Sequence, residues 1–174
     1  MTRSSSALLG LRLVEVLPAG LPVHDGAEQW LAFYARVRAS LFPSMRADAR
    51  RAVERHFESY LGDAAHTLAF RRVLRHGDFG PTNILFDPSA RTIGGIIDFG
   101  SAGLGDPAAD IAGLLSPVSY GEAFVELLAP SYPGLADLLG RAHFYVGTFA
   151  LQEALWGFEH ADQTALRSGL VQYI

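Results

Sequence analysis

Two short apolar runs, residues 84–86 and 93–97, stand on either side of Asp87-Pro88-Ser89. Strand-forming residues flanking a turn of this composition predict a β-hairpin. Antiparallel pairing returns the chain to where it left. Asn83, just before the first run, and Asp98, just after the second, are therefore expected side by side. Asp78 lies five residues before Asn83. Three oxygen-bearing side chains are thus predicted to face one site, and any fold of this chain has to satisfy that convergence. Carboxylate and amide oxygens suit a hard cation, and a carboxylate beside a hydroxyl suits proton acceptance.

The residues around these positions form two motifs: His76-Gly77-Asp78-Phe79-Gly80-Pro81-Thr82-Asn83 and Ile97-Asp98-Phe99-Gly100. The spacing of Asp78, Asn83 and Asp98 is that of a kinase catalytic loop followed by D-F-G. The pair, in this order and at this distance, resembles the aminoglycoside phosphotransferase family, a kinase-like group that often writes its loop as H-G-D. Residues 76–83 look like that loop. Residues 96–111 resemble the metal-binding strand and the helix start after it, and a looser likeness in helix pattern runs from Gln29 to the C-terminus.

The resemblance implies an α+β fold: a protein-kinase-like C-terminal lobe, mostly helical, with a small β-hairpin carrying the catalytic loop and metal-binding residues. It implies ATP or another nucleoside triphosphate and Mg²⁺ as cofactors, and a small-molecule hydroxyl as phosphate acceptor. Asp78 would orient the attacking hydroxyl as general base, and Asn83 and Asp98 would hold the metal. His76 would be structural, packing around the Asp98 segment. Asp110 would anchor the loop backbone from a nearby helix, although a carboxylate in a first helical turn also suits the helix dipole by itself. Acidic residues suit polycationic acceptors, and Glu153, Glu159 and Asp162 lie in the region that caps the substrate in the family; plain exposed helical acids are the alternative. One departure is Pro81, where many antibiotic-modifying relatives carry an acid. Proline cannot bind an ammonium group, so acceptors other than aminoglycosides stay open.

Length and composition set outer limits. The chain has 174 residues, of which 49% are apolar, enough for one domain with a real core. A net charge of −4 argues against a nucleic-acid groove. There is no cysteine, which excludes disulfides and thiolate metal sites and fits a cytoplasmic location. Arg3 and the apolar run 7–17 have the look of a signal peptide, but Arg12 and Glu15 interrupt it and Pro18 follows directly. No apolar run approaches the ~20 residues needed to span a bilayer.

A kinase-like enzyme also has a small lobe with a Gly-rich loop and a lysine that grip the phosphates. Neither occurs here, and all 14 basic residues are arginines. The expectation is a C-terminal lobe over residues 27–174, with residues 1–26 a short helix and then a loop. Such a chain would be incomplete alone, its partner a missing N-terminal lobe or a second copy of itself. Two other readings follow: a non-catalytic binding or dimerisation module, and a metal-dependent hydrolase using the same oxygens.

Helical spacing places Trp30, Phe33, Tyr34, Val37 and Leu41 on one face of a helix over 27–41. Met45, Ala49, Val53 and Phe57 recur every fourth residue, predicting a second helix to residue 61, capped by Ser44. Arg46, Arg50, Arg51, Glu54 and Arg55 would face solvent. A turn at Gly62-Asp63 leads to a strand over 72–75. Asp106-Pro107 opens a further helix, with Asp106 fully explained as its N-cap. Helices over 121–129 and 135–160 follow, the second apolar on most sides and therefore expected at the centre. Gly77 and Gly80 would let the loop turn tightly, Phe79 and Phe99 would pack, and His56, His66, His143 and His160 show no metal-ligand spacing.

Overall fold

The computed structural model describes residues 20–62 and 69–174. The helix expected near the N-terminus, the turn residue Asp63 and His66 lie outside these. The chain enters through helix α1 (Ala27–Ser40), which buries Trp30 and Val37. Pro43 then starts a tight 3₁₀ turn, Phe42–Ser44. That turn absorbs Ser44, whose N–H donates to Leu41 O at 3.0 Å. Helix α2 (Ala47–Leu61) therefore opens at Arg46, with no side-chain cap. The expectation that Ser44 caps it is corrected, because the fixed φ of proline starts a turn that takes in Ser44 itself. The fourfold stripe itself is present: Met45, Ala49, Val53 and Phe57 are all buried.

Among the described residues, four strands in two sheets and four more helices follow. Strand β1 (Val73–Arg75) pairs antiparallel with β4 (Gly103–Gly105), and β2 (Ile84–Asp87) pairs with β3 (Thr92–Ile96). The second pair is the expected hairpin, in the register Ile84 to Ile96. Strand β4 was not anticipated. Two of its three residues are glycine, which carries no strand signal. After it come α3 (Ala108–Leu115), α4 (Glu122–Leu128), α5 (Leu135–Glu159) and α6 (Gln163–Leu170).

Helix α5 is the axis of the core and packs on α1, α2, α3 and α6. It buries Leu138, Phe144, Tyr145, Leu151 and Leu155, while its last turns emerge, leaving Trp156 and Phe158 half exposed. The seat of α6 is close: a Cβ on Gly169 would lie 2.5 Å from the backbone nitrogen of Ala154. An aromatic cluster of Trp30, Phe57, Tyr60, Phe144 and Tyr145 fills the space between α1, α2 and α5. Among the described residues, no helix is long and apolar enough to cross a membrane.

A charged group sits inside this apolar packing. Asp106 is fully buried. Its Oδ1 accepts from the Ala108 N–H at 3.0 Å, so it caps α3 as expected. Capping is not its whole role. Arg141 donates to both carboxylate oxygens, at 2.6 and 3.2 Å, and the Tyr145 hydroxyl donates to Oδ2 at 2.8 Å. Burial, and then the charge of Asp106, push the Tyr145 hydroxyl far above its ordinary pKa. Burial also pushes Tyr60, whose hydroxyl donates to Tyr145, up to about 12. Removing one partner of such a network strands the others without water. Asp106→Ala is expected to lower unfolding free energy by about 3–5 kcal/mol, read from urea denaturation. A loss within the range of ordinary surface substitutions would show that the network carries little.

Candidate active site

Pairing of β1 with β4 carries the chain end at Arg75 alongside the start of α3. The half-buried carboxylate of Asp110, in the first turn of α3, meets it there. Its Oδ2 accepts from His76 N–H and its Oδ1 from Gly77 N–H, each at 2.8 Å. Two successive amides can aim at one carboxylate because Gly77 is left-handed, with φ of 86°. A side chain there would run into the carbonyl of Ser101 and into Arg75.

His76, 7% exposed, links the loop to the hairpin. The Asp78 N–H donates to His76 Nδ1 at 3.3 Å, so the ring proton resides on Nε2, which donates to Ile97 O at 2.8 Å. The ring rests against Phe99 and Phe79, with centroids 4.7 and 5.7 Å away. Asn83 ends a second 3₁₀ turn, Pro81–Asn83, and is buried. Its Nδ2 donates to Asp78 O at 2.8 Å and to Asp78 Oδ2 at 3.1 Å. The backbone carbonyl of Asn83 accepts from Ile97 N–H at 3.0 Å. Asp98 follows directly, exposed and left-handed at φ 61°, with Oδ1 3.5 Å from Gly100 N. Aspartate tolerates this conformation better than most side chains. Asp78 and Asn83 are thus in contact, and backbone pairing sets Asp98 next to Asn83.

Beside Asp78 opens a cavity of about 440 Å³, whose wall includes Asp25, Trp30, Arg75, Tyr145 and Gln152. Asn83 and Asp98 lie outside that wall, on the side toward the hairpin.

The sequence profile of the phosphotransferase enzyme family matches residues 7–163. The chain belongs to this family. It is 34% identical over 163 residues to the viomycin phosphotransferase of Streptomyces vinaceus, covering 91% of this chain and 54% of that protein. It superposes on the GDP complex of aminoglycoside 2'-phosphotransferase-IIIa with a TM-score of 0.78 at 26% identity, covering 98% of this chain and 62% of that one. A type I macrolide 2'-phosphotransferase shares the fold, with a TM-score of 0.71 at 21% identity over 91% of this chain and 54% of the other. The chain spans about half the length of the curated relative.

In this phosphotransferase-family chain the three acids near the C-terminus are not brought to the Asp78 cavity. Glu159 pairs with Arg36, Nε to Oε1 at 2.9 Å. Asp162 caps α6, accepting from Thr164 N–H at 2.9 Å and Ala165 N–H at 3.1 Å. Glu153 lines an adjoining groove beside α2, which shares Ser116, Val118 and Phe149 with the wall of the Asp78 cavity. Helix rotation explains the last case: α5 presents Gln152 to the Asp78 cavity, and the next residue points about 100° away. Sequence reading missed Asp25, Arg75 and Gln152. Arg75 directly precedes the loop and was open to notice; nothing local marks Asp25, which reaches the site from far along the chain.

Asp110→Ala should free the His76 and Gly77 amides. Hydrogen exchange at both is expected to accelerate, with a stability loss on the order of 3 kcal/mol from two charge-assisted bonds. Unchanged exchange at these two amides would show the loop to be held by something else.

Proposed function

We propose that these residues form the acceptor-activating and metal-holding part of a phosphotransferase that uses ATP or another nucleoside triphosphate and acts on a small-molecule hydroxyl in the cytoplasm. The observation that carries the reading is the Asp78–Asn83 contact, in a chain of the phosphotransferase family. Asp78 accepts the proton of the attacking hydroxyl. The Asn83 amide fixes Asp78 by bonding Oδ2, which leaves Oδ1 for that hydroxyl. In a loose phosphoryl-transfer transition state, such positioning matters more than strong deprotonation. His76 and Asp110 hold the loop to the hairpin and to α3.

Asn83 Oδ1 and the Asp98 carboxylate are the donors that would hold Mg²⁺. Both are hard oxygens. Among the described residues no three His, Cys, Asp or Glu side chains form a metal cage. Mg²⁺ usually takes one or two protein carboxylates and completes its shell with phosphate and water. When bound, Mg²⁺ supplies neutralisation of the phosphate charge. With no lysine and no Gly-x-Gly-x-x-Gly in its 174 residues, the chain itself offers the triphosphate little besides this metal. The related viomycin, aminoglycoside and macrolide phosphotransferases support a hydroxylated small molecule as acceptor.

Mn²⁺ with ATP should broaden the amide resonances of Asn83 and Gly100. Asp98→Asn should weaken that effect at least about tenfold, as expected for losing a charged ligand. Equal broadening in wild type and variant would remove Asp98 from the metal site.

A second reading rests on a different observation. Leu85, Phe86, Ile93 and Phe99 are 49–65% exposed on the hairpin side, and an apolar cavity of about 670 Å³ lies between the hairpin and helices α3 and α4. Apolar patches of this kind mark association surfaces. As a binding module, the chain would dimerise in light scattering at micromolar concentration; a strict monomer removes that reading.

A further inference from the structure

The acceptor cavity contains a buried cation. The Arg75 side chain is 9% exposed, and its Nε lies 2.8 Å from Oδ2 of Asp25, itself 10% exposed. The approach is off-axis, so Nε makes an ion pair without a hydrogen bond. Among the described residues Asp25 is its one polar partner, and the terminal nitrogens donate to no protein oxygen. The guanidinium is held in a glycine cradle. A Cβ on Gly105 would come within 2.7 Å of Nε, and one on Gly77 would collide with Nη1. The seat thus leaves room for this side chain and no other bulk, and Arg75 and Asp78 line the same cavity.

A guanidinium carries more N–H donors than one carboxylate contact uses; of the Arg75 nitrogens Nε alone is both fully buried and without a hydrogen bond, so the terminal nitrogens keep some exposure for a ligand. Trp30 forms another part of the wall. It is 9% exposed and stacked on Tyr145 at 5.2 Å, and its indole N–H also lacks an acceptor. The acids are few by comparison. Asp25 is engaged by Arg75 and by the Asp106 N–H at 3.3 Å. Glu153, Glu159 and Asp162 lie elsewhere, and Pro81 occupies the loop position between Asp78 and Asn83.

We infer that Arg75 forms an oxygen-reading subsite beside Asp78, so that the acceptor is a hydroxyl compound bearing a carboxylate or amide carbonyl, not a polycation. This deepens the phosphotransferase reading and rests on it. The hydroxyl lies at Asp78, while the planar fork of Arg75 takes the carboxylate or carbonyl oxygen, a geometry that guanidinium matches well. A second or third ammonium group on the ligand would meet like charge at Arg75 with one free carboxylate to offset it.

The test uses the full ¹⁵N-labelled chain without nucleotide and follows the indole N–H of Trp30. Trp156, half exposed and stacked on His160, is the internal reference. N-acetyl-L-serine, N-acetyl-L-serinamide, methyl glucoside and kanamycin are titrated separately. Both serine probes should shift Trp30 saturably and leave Trp156 unmoved, the carboxylate binding tighter if charge dominates and the two binding equally if the shared carbonyl does. Methyl glucoside and kanamycin should give no saturable shift. Arg75→Gln should weaken serine-probe binding about tenfold. Should that variant not fold, Asp25→Asn combined with Arg75→Gln removes both charges together and is held to the same loss. Kanamycin shifting Trp30 while the serine probes do not, or unchanged affinity in the folded variant, overturns the inference. Serine-probe binding together with no Mn²⁺–ATP response at Gly100 would sink the transferase reading and leave this subsite standing.

Discussion

One carboxylate sets the geometry of the loop that runs from His76 to Asn83. Asp110 accepts two successive backbone amides, and the left-handed turn at Gly77 is what lets both point the same way. Consecutive N–H groups in such a turn form a concave anion seat, and a carboxylate in the first turn of a helix is favoured there by the helix dipole. The loop is thereby fixed to α3 at one end. His76 fixes it to the hairpin at the other, donating to Ile97 O with the ring tautomer set by the Asp78 amide. Asp78, Asn83 and the backbone before Asp98 inherit their positions from these bonds.

The same helix start carries a second carboxylate facing the other way. Asp106 points into the core toward Arg141 and Tyr145, and its amide bonds Asp25, which in turn pairs with Arg75. Buried ion pairs contribute little net stability against well-packed apolar groups, because desolvation offsets their attraction. They do discriminate between arrangements, since a shifted helix would leave several charges unpaired. In this chain the network ties the segment before α1, strand β1, α3 and α5 into one mutual alignment, and the cavity beside Asp78 lies among those elements. Burial raises the pKa of Asp25 while the Arg75 charge opposes that rise.

How much of this was legible depended on distance along the chain. The hairpin was readable because the short apolar runs and the Asp-Pro-Ser turn are local, and the observed register brings Asn83 and Ile97 together. The bounds expected for α1, α2, α4 and α5 came within a residue or two, Ser44 aside, with α1 and α2 read from their periodicity. Strand β4 was not, because Gly103-Leu104-Gly105 forms a strand through its pairing with β1 and not through any preference of its own. Asp106 was read correctly as a cap and incompletely as a charge, since Arg141 and Tyr145 are far away in sequence. The acids near the C-terminus were placed by region, and region is too coarse: one step along α5 separates Gln152, on the cavity, from Glu153, in another groove.

By itself, then, the order of residues determined the spacing of Asp78, Asn83 and Asp98 and the hairpin that folds the last two together, because strand pairing converts short-range spacing directly into proximity. Tertiary structure alone decided what surrounds them: that Arg75 is buried between two glycines, that Asp25 arrives to meet it, and that Glu159 is taken up by Arg36. Those outcomes depend on helix rotation and on partners from distant segments, and neither leaves a mark in local spacing.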